Sequence, residues 1–196
     1  MPLSKLRTEL IAIVRNLGLT HQDPPVQLAS GDLSRHFIDT KLALARGSHL
    51  ELASRAVIEV VKEMDVEFDA VGGLTMGADQ IAHGVAILAD VEWFSVRKEA
   101  KERGTKKRIE GAVLGAGKRV LLVDDVVTRG DSIADALGEI NKTGAPVVAA
   151  VSLVDRGPFG RLVFRELGIR YEPLVTYEDL DIEPVGDESR VTSATG

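Results

Sequence analysis

The chain has 196 residues, 44% of them hydrophobic and only 4% aromatic, with a net charge of −6. That length suits one domain with an aliphatic core; the acidic balance argues against a general nucleic-acid or anionic-membrane surface, and the lack of cysteine excludes a disulfide framework or a thiolate metal site. No apolar stretch approaches the roughly 20 residues of a membrane span, and the first ten residues lack a signal-peptide core, so a soluble cytoplasmic protein is expected. In chain order, Leu3, Leu6, Leu10, Ile11, Ile13, Val14 and Leu17 recur at helical spacing, with Gly18 as the stop. Pro24-Pro25 forces an extended or turning segment. Residues 26–40 read as two short strands around a Ser30-Gly31 turn. Residues 48–65 read as a helix, with Ser48 and Glu51 as a capping box and Leu52, Val57, Ile58, Val60, Val61 and Met64 as its buried stripe.

Residues 68–73 predict a short strand running into a Gly72-Gly73 turn. A loop over 74–80 and a helix to about Ala89 follow. Asp79 reads as a helix-start residue. His83 reads as a packing residue, because no partner stands at metal-ligand spacing. Residues 91–96 predict the next strand. From 97 to 110 there are seven basic and three acidic residues, a local charge of +4 that leaves −10 for the rest. A cationic segment on an acidic protein reads as an anion-recognition loop or as a solvated charged hairpin. Gly115-Ala116-Gly117-Lys118 lacks the Walker spacing and precedes a strand, so it reads as a turn.

The rest is organised around residues 120–132. Val120 to Val123 is a fully apolar run, which predicts a strand buried on both faces. Asp124 and Asp125 then stand at its carboxyl end, where open α/β sheets bind ligands. The loop Thr128-Arg129-Gly130-Asp131-Ser132 feeds a helix amino terminus, whose free N–H groups suit a phosphate. The plainer reading is a buried strand with a carboxyl-rich end and a capped helix. A helix over 132–143, a strand over 146–154 ending at Asp155-Arg156, a helix over 159–167 stopped by Gly168 and a strand over 171–175 complete the pattern. The tail from Tyr177 is acidic, then rich in Ser and Thr. Alternation of strands and helices from 48 to 175 predicts a mostly parallel sheet with helices on both faces.

The 120–132 stretch resembles the phosphoribosyl-diphosphate (PRPP) motif of type I phosphoribosyltransferases: four hydrophobic residues, two acids and a Thr/Gly/Ser-containing loop. The resemblance implies that Asp124 and Asp125 hold the ribose 2′- and 3′-hydroxyls. It places Asp125, Val126, Val127, Thr128, Arg129, Gly130, Asp131 and Ser132 around the 5′-phosphate. The residue types fit. Paired carboxylates accept two hydrogen bonds from a vicinal diol, Gly130 permits positive φ, and Thr128 and Ser132 add hydroxyl donors. Arg97-Lys98-Glu99-Ala100-Lys101-Glu102-Arg103-Gly104 is similar to the flexible catalytic loop of the orotate-using branch, departing at Arg103, where His is usual. By that resemblance Lys101 reaches into a neighbouring subunit's site and stabilises departing pyrophosphate, and Arg97 and Lys98 bind the same group. Arg103 keeps the charge but cannot give up a proton near neutral pH. Lys101, Asp125 and Arg103 are the catalytic candidates. The Gly-rich loop at Thr75 would face pyrophosphate through Thr75 and backbone N–H groups, with Met76 where many relatives have Lys. Asp155-Arg156 resembles the pair that supplies an arginine to the orotate ring, joined by Thr128. Ser30, Gly31, Ser34 and Phe37 resemble a base-covering hood, with Ala29 and Ile38 as departures; an amino-terminal hairpin over the core is the alternative.

The resemblance implies the type I phosphoribosyltransferase α/β fold: one domain over 1–180, with hood and first helix over 1–45, core over 46–180, and a tail over 181–196. It implies transfer from PRPP to orotate, giving orotidine 5′-monophosphate and pyrophosphate in pyrimidine synthesis. Mg²⁺ would arrive mainly through PRPP, with Asp124 and Asp125 as possible direct contacts, and a homodimer would share its active sites. Two other readings stay open. One is a phosphoribosyltransferase for a purine or another base. The other is a PRPP-sensing regulator without turnover.

Overall fold

The computed structural model describes residues 1–28, 30–99 and 107–185. Leu19–Gln27 (β1) and Leu33–Ile38 (β2) pair antiparallel as a separate ribbon. The main sheet is built from Ala70–Leu74 (β3), Glu92–Val96 (β4), Ile109–Gly111 (β5), Val120–Val127 (β6), Val147–Asp155 (β7) and Tyr171–Thr176 (β8). Its order is β5-β4-β3-β6-β7-β8, parallel throughout except for β5 against β4.

The apolar run of β6 explains the layering. Leu121 and Val123 point to one face, where Leu3–Ile13 (α1), Gly47–Glu63 (α3) and Asp79–Ala89 (α4) cover the sheet. Val120 and Leu122 point to the other, under Asp131–Asn141 (α5) and Pro158–Glu166 (α6). All four are at most 1% exposed, and burying each such side chain contributes about 1.5–3 kcal/mol. A strand covered on both faces has no solvent side to alternate toward, which is why it reads as a continuous hydrophobic run. A short helix, Thr40–Ala43 (α2), joins the β1–β2 ribbon to α3, with the Asp39 carboxylate capping it through the Leu42 N–H at 3.0 Å.

Three local expectations are corrected. The helix expected from Ser48 starts at Gly47 with Arg46 at its cap and no side-chain cap bond. The capping box does not form, because Glu51 instead accepts from Arg55 one turn on at 2.8 and 3.0 Å. Gly72 and Gly73 are not a turn but the buried middle of β3. A Cβ on Gly72 would overlap the carbonyl oxygen of Phe94, and one on Gly73 that of Val123. These glycines therefore allow close strand approach rather than chain reversal. The packed chain also runs past 180, since Ile182 and Val185 are buried in the core.

Most other elements fall where the sequence puts them, but β1 begins at Leu19 and runs through Pro24-Pro25, so the first ribbon strand lies mostly before residue 26, and α2 and β5 are additional. The first helix closes through a π turn, Val14–Gly18. Gly144 and Gly168 take positive φ just after α5 and α6. The Gly115 carbonyl accepts the Lys118 N–H across the expected turn. His83 packs edge-on against Trp93, with ring centroids 4.6 Å apart.

Candidate active site

β3 and β6 lie side by side at the centre of the sheet, but the chain leaves them in opposite directions, β3 outward to β4 and β6 outward to β7. Such a switch point opens a crevice at the carboxyl ends of the two strands. The segment after β3, residues 75–78, and the end of β6 with its loop, residues 124–132, face each other across it.

Asp124 and Asp125 stand in that crevice. Asp124 is 7% exposed, and its Oδ1 accepts the Asp125 N–H at 2.9 Å. Asp125 Oδ1 accepts the Val126 N–H at 2.8 Å, while its Oδ2 accepts from the Thr40 hydroxyl at 2.8 Å and Lys41 Nζ at 3.2 Å. Gly77 abuts both acids: a Cβ there would stand 2.5 Å from Asp125 Oδ1 and 3.0 Å from Asp124 Oδ1. Burial, and then the charge of Asp125, pushes the Asp124 carboxyl up to about 8. The ligand-free crevice therefore favours its neutral form. A buried acid beside a second acid favours its neutral form until a donor or cation offsets the charge.

The phosphate loop is shorter than the eight residues expected. β6 continues through Val126 and Val127, whose side chains pack into the two cores, and the turn begins at Thr128. Gly130 has φ +85° and starts α5 without any side-chain cap. Asp131 and Ser132 form the exposed first turn of that helix. The N–H groups at this terminus thus remain available to an anion. Arg129 turns to the amino-terminal ribbon and pairs with Asp32.

Beside the loop, Arg156 leaves the end of β7. It is 7% exposed, and its Nη1 donates to the Thr128 hydroxyl at 3.2 Å. That bond leaves the Thr128 hydroxyl proton to donate elsewhere. The Arg156 main chain is fixed by bonds from its N–H to Val127 and from the Val185 N–H to its carbonyl, at 2.9 and 2.8 Å. Its Nε has no hydrogen-bond partner among the described residues, nor has the hydroxyl of buried Tyr177. Burial pushes the Tyr177 hydroxyl up, and the Arg156 charge and neighbouring Ser34 oppose that rise. Ser34, Arg156 and Tyr177 thus form one buried polar cluster under the ribbon. Sequence reasoning missed Tyr177; an aromatic just after the last predicted strand was its only signal. Phe37 does not join the cluster. It is three residues from Ser34, so strand alternation turns it to the opposite face, where it is 42% exposed.

The remaining candidates divide. The Thr75 hydroxyl donates to Asp79 at 2.6 Å, so backbone groups rather than that proton are left for an anion. Asp79 begins α4, as expected, and also accepts from Ser95 at 2.7 Å. Arg97 and exposed Lys98 lie at the end of β4. Arg108, counted with the cationic segment, is committed elsewhere: its guanidinium binds Asp135 at 2.7 and 2.9 Å and Glu139 at 3.0 Å on α5. The same guanidinium donates from Nε to the Arg97 carbonyl at 2.7 Å, closing the base of the β4–β5 hairpin. The charge free to meet a ligand is thus smaller than the sequence count. Lys101 and Arg103 lie outside the described residues. No cluster of three or more His, Asp or Glu side chains able to hold a metal exists among the described residues.

An adjacent acid pair, an uncapped helix terminus and a buried arginine now stand at one switch point. Comparison with known proteins agrees. Residues 45–159 match the phosphoribosyl transferase domain family. An orotate phosphoribosyltransferase of Corynebacterium glutamicum is 36% identical over 183 residues, covering 91% of this chain and 96% of the relative. A crystal structure of Mycobacterium tuberculosis orotate phosphoribosyltransferase superposes with a TM-score of 0.76 at 32% identity, covering 89% of this chain and 98% of that one. The same enzyme in complex with PRPP gives 0.73 at 29% identity, covering 90% and 99%. The chain belongs to the phosphoribosyltransferase family and, within it, to the orotate phosphoribosyltransferases.

Proposed function

We propose that this protein transfers the 5-phosphoribosyl group from PRPP to orotate, giving orotidine 5′-monophosphate and pyrophosphate in pyrimidine nucleotide synthesis. The observation that carries this reading is the convergence of Asp124–Asp125, the uncapped start of α5 and buried Arg156 on one crevice. A ring nitrogen of orotate bonds to ribose C1′ as the C1′–oxygen bond to pyrophosphate breaks. The leaving group departs with that electron pair, and the proton of the ring nitrogen passes to solvent. Positive charge grows on the ribose and negative charge on the pyrophosphate, so placed charges do the catalysis.

Each residue then has a task. Asp124 and Asp125 accept the ribose 2′- and 3′-hydroxyls; Thr40 and Lys41 hold Asp125 in place meanwhile. The amides at 130–132 and the Ser132 hydroxyl take the 5′-phosphate. Arg156, held through Thr128, meets the planar acid and carbonyl edge of orotate, for which a fixed guanidinium fork is suited. Arg97, Lys98, Lys101 and Arg103 supply positive charge toward pyrophosphate. Mg²⁺ fits this donor set: it commonly binds through one or two carboxylates plus substrate phosphates rather than an all-protein cage. Asp124 and Asp125 are the residues that would touch it, and it would supply charge neutralisation at the diphosphate and ribose oxygens.

Exposed apolar residues support a homodimer. Ile87 on α4, Trp93 on β4 and Val113 after β5 are 80%, 42% and 83% exposed at one end of the sheet. None of the described helices is long and apolar enough to cross a membrane. The test is loss of orotate absorbance with PRPP and Mg²⁺, alongside product assays with adenine, hypoxanthine, guanine, xanthine and uracil. Turnover of orotate alone is expected. Turnover of another base would keep the PRPP site and overturn the assignment of Arg156. PRPP binding without turnover of any base would leave a regulator.

A further inference from the structure

The hood turn and the phosphate loop are joined by one ion pair. Arg129 Nε donates to Asp32 Oδ2 at 2.8 Å and Nη2 donates to Oδ1 at 2.5 Å, across 97 positions of sequence. This parallel two-point geometry is the strongest form of a carboxylate–guanidinium contact. It is not a loose surface pair, since the Asp32 side chain is only 16% exposed. Both sides are stiffly mounted. On the hood side, the Asp32 carbonyl accepts the Leu28 N–H at 2.8 Å, and the Leu28 carbonyl accepts the Gly31 N–H at 2.9 Å. The Ser30 hydroxyl donates to Asp32 Oδ2 at 2.8 Å. On the loop side, Arg129 sits between Thr128, which Arg156 holds, and Gly130, which begins α5. Its guanidinium also lies 5.6 Å from the ring centroid of Phe159 on α6.

The pair therefore spans the two half-sites of the proposed reaction. Residues 128–132 are where the 5′-phosphate sits. Two positions beyond Asp32, Ser34 belongs to the buried cluster with Arg156 and Tyr177, where the base sits. A ligand that fixes the loop fixes Arg129, through it Asp32, and through the short stretch to Ser34 the roof of the base site. We propose that Asp32 is a positioning residue that couples the two substrates: filling the phosphate loop tightens the base site through the Asp32–Arg129 pair. Neither the carboxylate nor the pair takes part in bond making. The inference rests on the orotate reading above.

Coupling of this kind is reciprocal and is read as a ratio of affinities. The probes are orotate and ribose 5-phosphate, which fills the phosphate loop but cannot react. Titration calorimetry on the full chain gives the orotate Kd with and without saturating ribose 5-phosphate. The parent protein should bind orotate about tenfold tighter in its presence, and ribose 5-phosphate should gain by the same factor from orotate. Asp32→Asn should reduce that ratio to about twofold or less, and Asp32→Glu should restore part of it. Arg129→Lys keeps the charge but not the fork, so it should lose the same factor, and the double variant should lose no more than either single one. This second variant keeps the test decisive if Asp32→Asn fails to fold. A merely structural role would weaken both ligands and leave the ratio alone. No cross-effect in the parent, or a parental ratio in Asp32→Asn and Arg129→Lys, overturns the inference. Failure of the parent to bind orotate at all overturns the functional reading itself, which is a different result.

Discussion

The two ends of the same strand pair treat aspartate in opposite ways. At the amino ends of β3 and β6, Arg119 wraps Asp69 with Nε, Nη2 and its main-chain N–H at 2.8–2.9 Å, and reaches Glu67 with Nη1 at 2.6 Å. The Arg119 side chain and N–H hold the Asp69 carboxyl well below the usual carboxylate range. At the carboxyl ends, burial pushes Asp124 up to about 8, and Asp155 at the same end of the neighbouring β7 up to about 6. There the Arg156 Nε and the Tyr177 hydroxyl lack partners among the described residues. One edge is electrostatically satisfied without any ligand. The other keeps groups whose preferred state needs one, and perturbed groups gathered in a crevice are what a binding site requires.

The largest effect should come from Asp125. Asp125→Ala removes a carboxylate that would take a hydroxyl of the ribose, and a charged hydrogen bond contributes about 1.5–3 kcal/mol. The Asp125 main-chain N–H that Asp124 accepts survives the change, so the loss is the side chain's alone, and kcat/KM for PRPP should fall by about 100-fold. A loss under about threefold in steady-state assays would take Asp125 out of the ribose site. Next comes Arg156→Ala, which should raise the orotate KM by on the order of 30–100-fold while leaving the PRPP KM near the parental value. Equal changes in both would show that Arg156 holds the loop rather than the base. Lys101→Ala should lower kcat more than it weakens PRPP, as expected of a group that meets only the leaving charge.

A smaller effect concerns stability. Asp124 is raised above its ordinary value of 3.8 in the fold, so its neutral form is favoured there. The stability linked to it is fully present below pH 3.8 and is lost as pH rises toward about 8. Asp155 behaves alike but completes its loss near pH 6. Asp124→Asn keeps the shape and removes the charge. The ligand-free variant should melt higher than the parent, by a margin that grows from pH 5 to pH 8, while its turnover collapses. Any fall in its melting temperature that remains as pH rises from about 4 to about 6 belongs to Asp155. A margin that stays flat from pH 5 to pH 8 would mean that Asp124 is already charged in the free protein.

Much of this was legible in the sequence because it rests on local rules. The continuous apolar run of β6 told its double burial, the acids after it told the crevice, and alternation of strand and helix told the parallel sheet. What escaped depended on which of several competing partners a residue takes, some close in sequence and some far along the chain. Glu51 has the right spacing for a capping box, yet Arg55 at one helical turn takes it. Gly72-Gly73 looks like a turn because glycine's turn signal and its close-approach signal are the same letter, and only the neighbouring carbonyls separate them. Arg108 counted as free charge until Asp135 and Glu139 met it from α5. Phe37 rested on a resemblance alone, and the alternation of side chains along β2 turns it away from Ser34. Nothing in the sequence joined Asp32 to Arg129.

The smallest expected effect tests whether the two edges are separable. Asp69→Asn removes the charge that Arg119 surrounds and keeps one carbonyl oxygen to accept part of its bonds, with the amide nitrogen in place of the second acceptor. The partners are 36% and 41% exposed, a setting in which solvent screens ion pairs and their net contribution is small. The melting temperature should drop slightly. Because Asp69 stands at the opposite ends of β3 and β6 from Asp124, kcat and both KM values should stay at the parental level. A fall in kcat with intact folding would show that strain passes along the strands from one edge to the other. The acid pair would then owe part of its geometry to Arg119, and the division between a satisfied edge and a poised one would give way to a single coupled sheet.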